Sequence, residues 1–319
     1  MKLSRPPIIV AVSLLALSGC SAPSESNEEY PSETVKIIVP FAPGGSLDSN
    51  SRILAECLKE SGGNWIIENR EGGGGTIGVN ALVSAEPDGH TLAYLSSSGM
   101  ALTPLISDGS QYDKDDLVPL TIVTKAPAAI LVRADSPYET AEDFFAAATS
   151  GSELSIATTG ALGLYQLVVE QLANEAAIVP VPFDGTAPAV TAALGGNTEA
   201  VFAEVSGSTL ESLNAGNMRA LATGSTEPVA FLPDVPTLAS LGYDLPESTN
   251  YGVIVGTSEL PEDLQSEIAA RFTECATDDS VAETIGTDFV LDPPMVGDEA
   301  QDLIDTATEQ YQAALDARG

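Results

Sequence analysis

The sequence predicts an α/β fold in two lobes with a cleft between them, and three observations predict it. Short apolar runs alternate with longer amphipathic stretches, which is the rhythm of β-α-β units. The rhythm runs to about residue 95 and restarts near residue 128, giving two consecutive α/β blocks. Beyond the first 30 residues about 290 remain, enough for two domains of ordinary size.

The elements follow in order. Val35–Val39 reads as a strand, the turn Pro40–Gly45 follows, and a helix runs from Ser46 to about Lys59. Trp65–Glu68 is the next strand, Ile77–Ala85 a helix after a glycine run, and Thr91–Leu95 a third strand behind the turn Pro87-Asp88-Gly89. In the second block Ala128–Arg133, Leu154–Ala157, Ile178–Val181, Ala200–Ala203 and Arg219–Thr223 read as strands, and Ala141–Thr149, Leu162–Asn174 and Ala187–Leu194 as helices. Tyr251–Val255 is extended again, before helical stretches at Pro261–Cys275 and Glu299–Arg318.

The N-terminus reads as an export signal. Lys2 and Arg5, the apolar run Ile8–Leu17 and the small residues Ser18 and Gly19 precede Cys20. The apolar run is too short for a membrane span. Leu17-Ser18-Gly19-Cys20 resembles a bacterial lipobox, so residues 1–19 are expected to be removed and Cys20 to carry lipid. Residues 20–30 then form a polar tether, and the protein sits exported and lipid-anchored at the outer face of the cytoplasmic membrane. With Cys20 so used, Cys57 and Cys275 remain outside the cytoplasm, where disulfides persist. They are read as one bridge, with two separate buried thiols as the alternative. A bridge returns the C-terminal part to the first lobe, so that 31–125 plus 252–319 form lobe 1 and 126–251 lobe 2. The chain then crosses twice between lobes, near 121–132 and 246–255, as a hinge requires.

The chain carries 46 Asp and Glu against 12 Lys and Arg, a net charge of −34. Such a surface repels nucleic acid. Gly73-Gly74-Gly75-Thr76-Ile77-Gly78 fits the dinucleotide fingerprint in letters, but it does not directly follow its strand and lacks the acidic residue expected about 20 positions later. Close helix packing is the expected use of these glycines. No G-x-S-x-G occurs, and the single histidine, His90, sits in a turn where a solvated side chain is expected. Neither a Ser-His-Asp triad nor a histidine metal site has the material it needs, so the chain reads as no enzyme and no cofactor is called for.

Four strand-end segments rich in glycine and hydroxyls stand out, two in each block: Phe41-Ala42-Pro43-Gly44-Gly45-Ser46, Ser97-Ser98-Gly99, Thr158-Thr159-Gly160 and Phe183-Asp184-Gly185. Ligands of open α/β sheets bind beyond the carboxyl ends of the strands, and a helix N-terminus offers free N–H groups to an anion there. Each segment is also an ordinary turn by composition, with Ser46 as a plain helix N-cap. Arg70 and Arg133 are candidate cations or surface ion-pair residues. Ala203 and Glu204, at a strand end, are also candidate ligand-binding residues; Glu204 is placed to meet an amino group or hydroxyl of a ligand, or to be a solvated acid.

Together these segments resemble the solute-binding receptors of tripartite tricarboxylate transporters, the Bug receptor family, in its lipoprotein form. The likeness runs from about Tyr30 to the C-terminus. It is carried by Pro40-Phe41-Ala42-Pro43-Gly44-Gly45-Ser46-Leu47-Asp48, Glu68-Asn69-Arg70 with the following glycines, Pro87-Asp88-Gly89-His90-Thr91-Leu92, and Leu232-Pro233-Asp234-Val235-Pro236-Thr237. The resemblance implies a two-lobed, periplasmic-binding-protein-like (Venus flytrap) fold with a ligand cleft between lobes. It implies capture of a small carboxylate, a di- or tricarboxylate or related organic acid, partly through ordered water, and delivery to two integral membrane subunits. A monomer is expected. A ligand sensor docking on a membrane kinase is the alternative role. One departure is visible: where the family often has Phe-Asp, this chain has Phe202-Ala203-Glu204.

Overall fold

The computed structural model describes residues 30–161 and 163–317. The expected signal segment, Cys20 and all of the expected tether except Tyr30 lie outside them. The chain runs β1 (Thr34–Val39), α1 (Ser46–Glu60), β2 (Asn64–Asn69), α2 (Thr76–Val83), β3 (Thr91–Ser96), α3 (Ser97–Ala101), α4 (Thr103–Ile106) and β4 (Leu117–Ala126). It continues through β5 (Ala128–Arg133), α5 (Ala141–Thr149), β6 (Leu154–Thr159), α6 (Leu164–Glu175), β7 (Ile178–Phe183), α7 (Thr186–Leu194), β8 (Ala200–Glu204), α8 (Gly207–Asn214) and β9 (Met218–Thr223). It returns as β10 (Asn250–Thr257), α9 (Glu262–Ala276), α10 (Asp279–Ile285), β11 (Val290–Val296) and α11 (Asp298–Asp316).

The strands form two sheets, ordered β11-β4-β10-β3-β1-β2 and β7-β6-β8-β5-β9. In the first, β1, β2 and β3 are parallel and β10 antiparallel to both β3 and β4. In the second, β6, β7 and β8 are parallel and β5 antiparallel to both β8 and β9. This topology decides where a ligand can sit. The carboxyl ends of β1–β4 share an edge with the start of β10, and those of β6–β9 share an edge with the start of β5. Both crossings, Ala126 to Ala128 and Thr223 to Asn250, join these two edges, so the carboxyl ends of the two sheets face each other.

The crossings themselves are tied down. Val205 N–H donates to Pro127 O (2.8 Å), Gly224 N–H to Ala128 O (2.8 Å) and Ser248 N–H to Gly224 O (2.9 Å). The long strand β4 is absent from the sequence expectation, because Pro119 and three polar residues break its apolar run. Register shifts against β10, one beside the Val255–Pro119 pair, accommodate the proline inside the sheet. Edge strand β11 was hidden by Pro293 and Pro294 in the same way.

The first lobe packs around Trp65, edge-on to Tyr30 (6.2 Å) and Phe272 (5.7 Å). Beside it Cys57 of α1 and Cys275 of α9 are joined, their Cα atoms 5.8 Å apart. His90 is not solvated as expected: its ring is 19% exposed, lies 5.6 Å from the Tyr30 ring, and accepts the Glu33 N–H at Nε2 (3.3 Å). The aromatic ring of Tyr30 gives it a partly apolar seat that the turn sequence alone does not reveal. Gly72 to Gly75 all have positive φ, and a Cβ on Gly78 would lie 2.8 Å from Pro40 Cβ, so this glycine run is a packing device.

Helix α11 belongs to neither lobe alone. It packs on α3, β4 and β11, and also on α6 of the second lobe. Its Ile304 and Tyr311 share an apolar cluster with Met100 and Ile122 on one side and Leu164, Val168 and Leu172 on the other. Gln310 Oε1 accepts the Glu247 N–H (3.1 Å). A gap of about 250 Å3 lined by Glu170, Gln171, Ala173, Asn174, Ala314 and Ala317 lies between α6 and α11.

Candidate functional site

The turn from β1 into α1 is built to leave backbone N–H groups open. Residues 41–46 are all exposed, with Phe41 38% accessible. The helix N-cap is Gly45, not Ser46, and among the described residues no side chain caps it. The first N–H groups of α1 therefore point outward without a protein partner. Asp48 holds the turn from behind. Its carboxylate accepts Gly44 N–H (2.9 Å), Arg52 Nη2 (2.8 Å) and Nε (3.1 Å), and Asn69 Nδ2 (2.9 Å). The Arg52 bond, the largest cause, holds the carboxyl down at about 2 against the opposing effect of burial. The cation beside this turn is thus Arg52, which sequence reasoning missed although its i, i+4 spacing from Asp48 signals it.

The other three segments fall on the same facing edges. Ser96 caps α3 by accepting Gly99 N–H (3.0 Å), so Ser97, Ser98 and Gly99 form a helical turn in place of a loop. Ser97 is buried, and its Oγ accepts the Tyr251 N–H (3.2 Å), while Ser98 is partly exposed. Thr158 and Thr159 lie inside β6, the Thr158 hydroxyl buried and donating to Gln166. Thr159 and Gly160 are partly exposed, and Gly160 N–H donates to Phe183 O (2.8 Å), which locks the β6 and β7 ends together. Asp184 and Gly185 are exposed, and Gly185 is the N-cap of α7 without a side-chain cap. Gly163 caps α6 in the same bare way. By contrast α5 and α10 are capped by Thr140 and Asp278.

Two expected residues lie elsewhere. Ala203 is fully buried in an apolar cluster with Ala129 and Val201, because the alternation along β8 turns it into the core. Arg133 ends antiparallel β5, which carries it to the edge of its sheet away from the crossings, where it pairs with Asp135 (3.1 Å). Arg70 follows β2 on the facing edge but is taken up by Glu68, which also pairs with Lys36 (3.1 Å).

Glu204 is not a solvated acid. It is 9% exposed at the end of β8. Its carboxylate accepts from the Ser206 hydroxyl and from Asn250 Nδ2 (3.1 Å), the latter at the start of β10, a strand of the first sheet. Nearby, Tyr94 of β3 shares a hydrogen bond with Thr124 (2.7 Å), and the Asn50 side chain of α1 reaches the same hydroxyl. Burial pushes the Tyr94 hydroxyl up to about 12, with the charge of Glu204 adding to it. Tyr165 of α6 is raised well above its ordinary value, again by burial first and Glu204 next. Asn50, Tyr94, Tyr165 and Asn250 are absent from the sequence expectation. The faint signal is a polar residue opening or interrupting an otherwise apolar strand or helix. A recess of about 670 Å3 on the second lobe, between Glu139–Glu142 and Pro233–Ser240, contains none of these groups.

Comparison with known proteins places this arrangement. The model of the tripartite tricarboxylate transporter family receptor matches residues 51–315. Protein BugT of Bordetella pertussis is 34% identical over 252 residues, 76% of each chain. The fold is shared with MatC from Rhodopseudomonas palustris with bound malate, at TM-score 0.72 and 24% identity over 90% of this chain and 100% of that one. It is shared also with an R. palustris protein solved with adipate, at TM-score 0.77 and 21% identity over 90% and 98%. Two sheets facing each other by their strand ends, and the match of one family model across both, lead to one conclusion: this chain belongs to the tripartite tricarboxylate transporter receptor family.

Proposed function

We propose that this receptor captures a small organic acid between its lobes and delivers it to the integral membrane subunits of a tripartite tricarboxylate-type transporter, performing no chemistry of its own. One observation carries the reading: the exposed, uncapped N-terminus of α1 at the facing edge of the first sheet. A carboxylate there takes the free N–H groups and the positive end of the helix dipole without needing a cationic side chain. The bare starts of α6 and α7 supply equivalent groups from the opposite lobe. The ligand seat comprises Phe41 to Ser46, Ser98, Gly99, Thr159, Gly160 and Phe183 to Gly185, with Ser97 and Thr158 bracing it from beneath.

Residues 31–125 with 252–319 and residues 126–251 act as the two moving bodies, hinged at the two crossings near 121–132 and 246–255. Malate and adipate in structures of the same fold support a dicarboxylate-sized ligand. The mature receptor is monomeric and tethered through lipid on Cys20; none of the described helices is long and apolar enough to cross a membrane. A thermal-shift screen of C4–C6 carboxylic acids tests the ligand class. A rise in melting temperature with such acids supports it, and hits confined to sugars or metal ions refute it.

A further inference from the structure

The segment Leu232-Pro233-Asp234-Val235-Pro236-Thr237 carries part of the family resemblance yet lies outside the proposed ligand seat. It walls one side of the recess of about 670 Å3 on the second lobe, and the approach to α5, Glu139 to Glu142, walls another. Ala220 and Leu221 of β9 also line it. Strand β9 ends its sheet, paired on one side with β5. On its other side the ladder is a single bridge. Thr223 N–H donates to Pro236 O (2.9 Å) and Leu238 N–H to Thr223 O (2.8 Å), and among the described residues no strand pairs with Met218 to Ala222 there. Pro233 and Pro236 have no N–H, so their segment cannot extend that ladder back along β9. The opposite edge strand of the same sheet, β7, is blunted by Pro180 and Pro182, whereas β9 has no proline. Glu139, Glu142 and Asp234 stand exposed around the recess, and no Lys, Arg or His lines it. None of the three acids is in an ion pair among the described residues.

We infer that this recess is a docking groove for an extended, basic segment of a protein partner, which adds a strand along the open edge of β9 and sets its Lys or Arg side chains against Glu139, Glu142 and Asp234. An extended chain brings the backbone donors and acceptors that Pro233 and Pro236 withhold. Its side chains alternate between two faces, so every second residue can meet the acidic rim. A helical segment would keep its backbone bonds to itself and leave the β9 edge unpaired. An acidic segment would meet three like charges. The groove runs along the flank of the second lobe, while the ligand seat lies at the carboxyl ends of β6 and β7. A partner can therefore hold this lobe without covering the captured acid, and the inference does not depend on which acid that is.

Selection of random linear peptides displayed on phage against the purified full chain tests this, followed by titration of a synthetic copy of the enriched sequence. The expected sequences carry Lys or Arg at alternate positions. The double change Glu142→Lys and Asp234→Lys should weaken the synthetic peptide at least tenfold. Ala239→Trp, which puts a large ring on the recess wall, should do the same. Glu211→Lys with Glu283→Lys makes the same charge change on exposed helix faces elsewhere and should hold affinity within about twofold. Bound peptide should slow hydrogen exchange of the backbone amides from Met218 to Ala222, and melting curves check that each variant folds. Four results overturn the groove: no enriched peptide, enrichment without basic residues, equal loss in the two charge swaps, or unchanged exchange along β9. A thermal shift by carboxylic acids that persists in every variant leaves the receptor reading standing in each case.

Discussion

Replacing Gly45 by Asp separates stability from binding at the start of α1. Gly45 has φ −76° and ψ 169°, an extended conformation open to any residue, and a Cβ there would come no nearer than 3.9 Å, to Ala42 O. Aspartate at an N-cap accepts the N–H groups that the wild type leaves free and opposes the helix dipole. The gain over glycine is a few tenths of a kcal/mol from capping and about 0.5 kcal/mol from the dipole. The protein should melt about 1–2 °C higher, given an unfolding entropy near 2.1 cal/mol/K per residue. Binding moves the other way. A ligand carboxylate loses two charge-assisted hydrogen bonds of about 1.5–2 kcal/mol each, or 3–4 kcal/mol together. At about 1.4 kcal/mol per decade, affinity falls at least 100-fold. Gly45→Ala keeps every N–H and should hold affinity within about threefold. Titration calorimetry and melting of the same samples read both quantities. If Gly45→Asp binds the acid as tightly as the wild type, the helix start is not the anion seat.

Other outcomes follow from the fold. Removing the bridge with Cys57→Ala and Cys275→Ala opens a loop spanning 218 residues, which the chain-entropy account values at about 5 kcal/mol as an upper bound. A guanidinium midpoint unchanged by the double variant would refute that role. Asp48 titrates at about 2 in the folded state, below its ordinary 3.8. Its stabilisation, about 1–2 kcal/mol after allowing for the exposed Arg52 partner, is complete above pH 4 and is lost as pH falls toward 2. Asp48→Asn should therefore lack this part of the acid transition in pH-jump melting curves. Gly252→Ala forces a Cβ to within 2.3 Å of the Tyr94 hydroxyl and 2.2 Å of Thr124 Oγ1, and should cost about 2 kcal/mol or more in denaturant titrations.

The regular elements were legible because their signals are local. Val35–Val39, Ala141–Thr149 and the helix starting at Ser46 emerge from periodicity and turn residues within a few positions. Strand β4 was not legible, since its pairing with β10 joins residues more than 100 positions apart and a register shift absorbs Pro119. The four strand-end segments were visible as glycine and hydroxyl clusters, but which hydroxyls face outward was not. Ser97 and Thr158 are spent on Tyr251 and Gln166 inside the protein. Glu204 shows the same limit in reverse. Its environment is made by Asn250 and Tyr94, which tertiary structure alone brings near, so the sequence left a ligand-facing acid and a solvated one both open where the fold buries a carboxylate.

Helix α11 limits what the hinge can do. Because one rigid rod is bedded against both bodies, they cannot swing apart like unconnected jaws; any closing must drag α6 along it. Large side chains hold the middle of that contact, Ile304 and Tyr311 against Leu164, Val168 and Leu172, while Ala173, Ala314 and Ala317 border the gap at its end, so any such movement is resisted along the helix and freest at its last turns. In the proposed receptor, closure over an acid would therefore register as a change in how the last helix rests on α6.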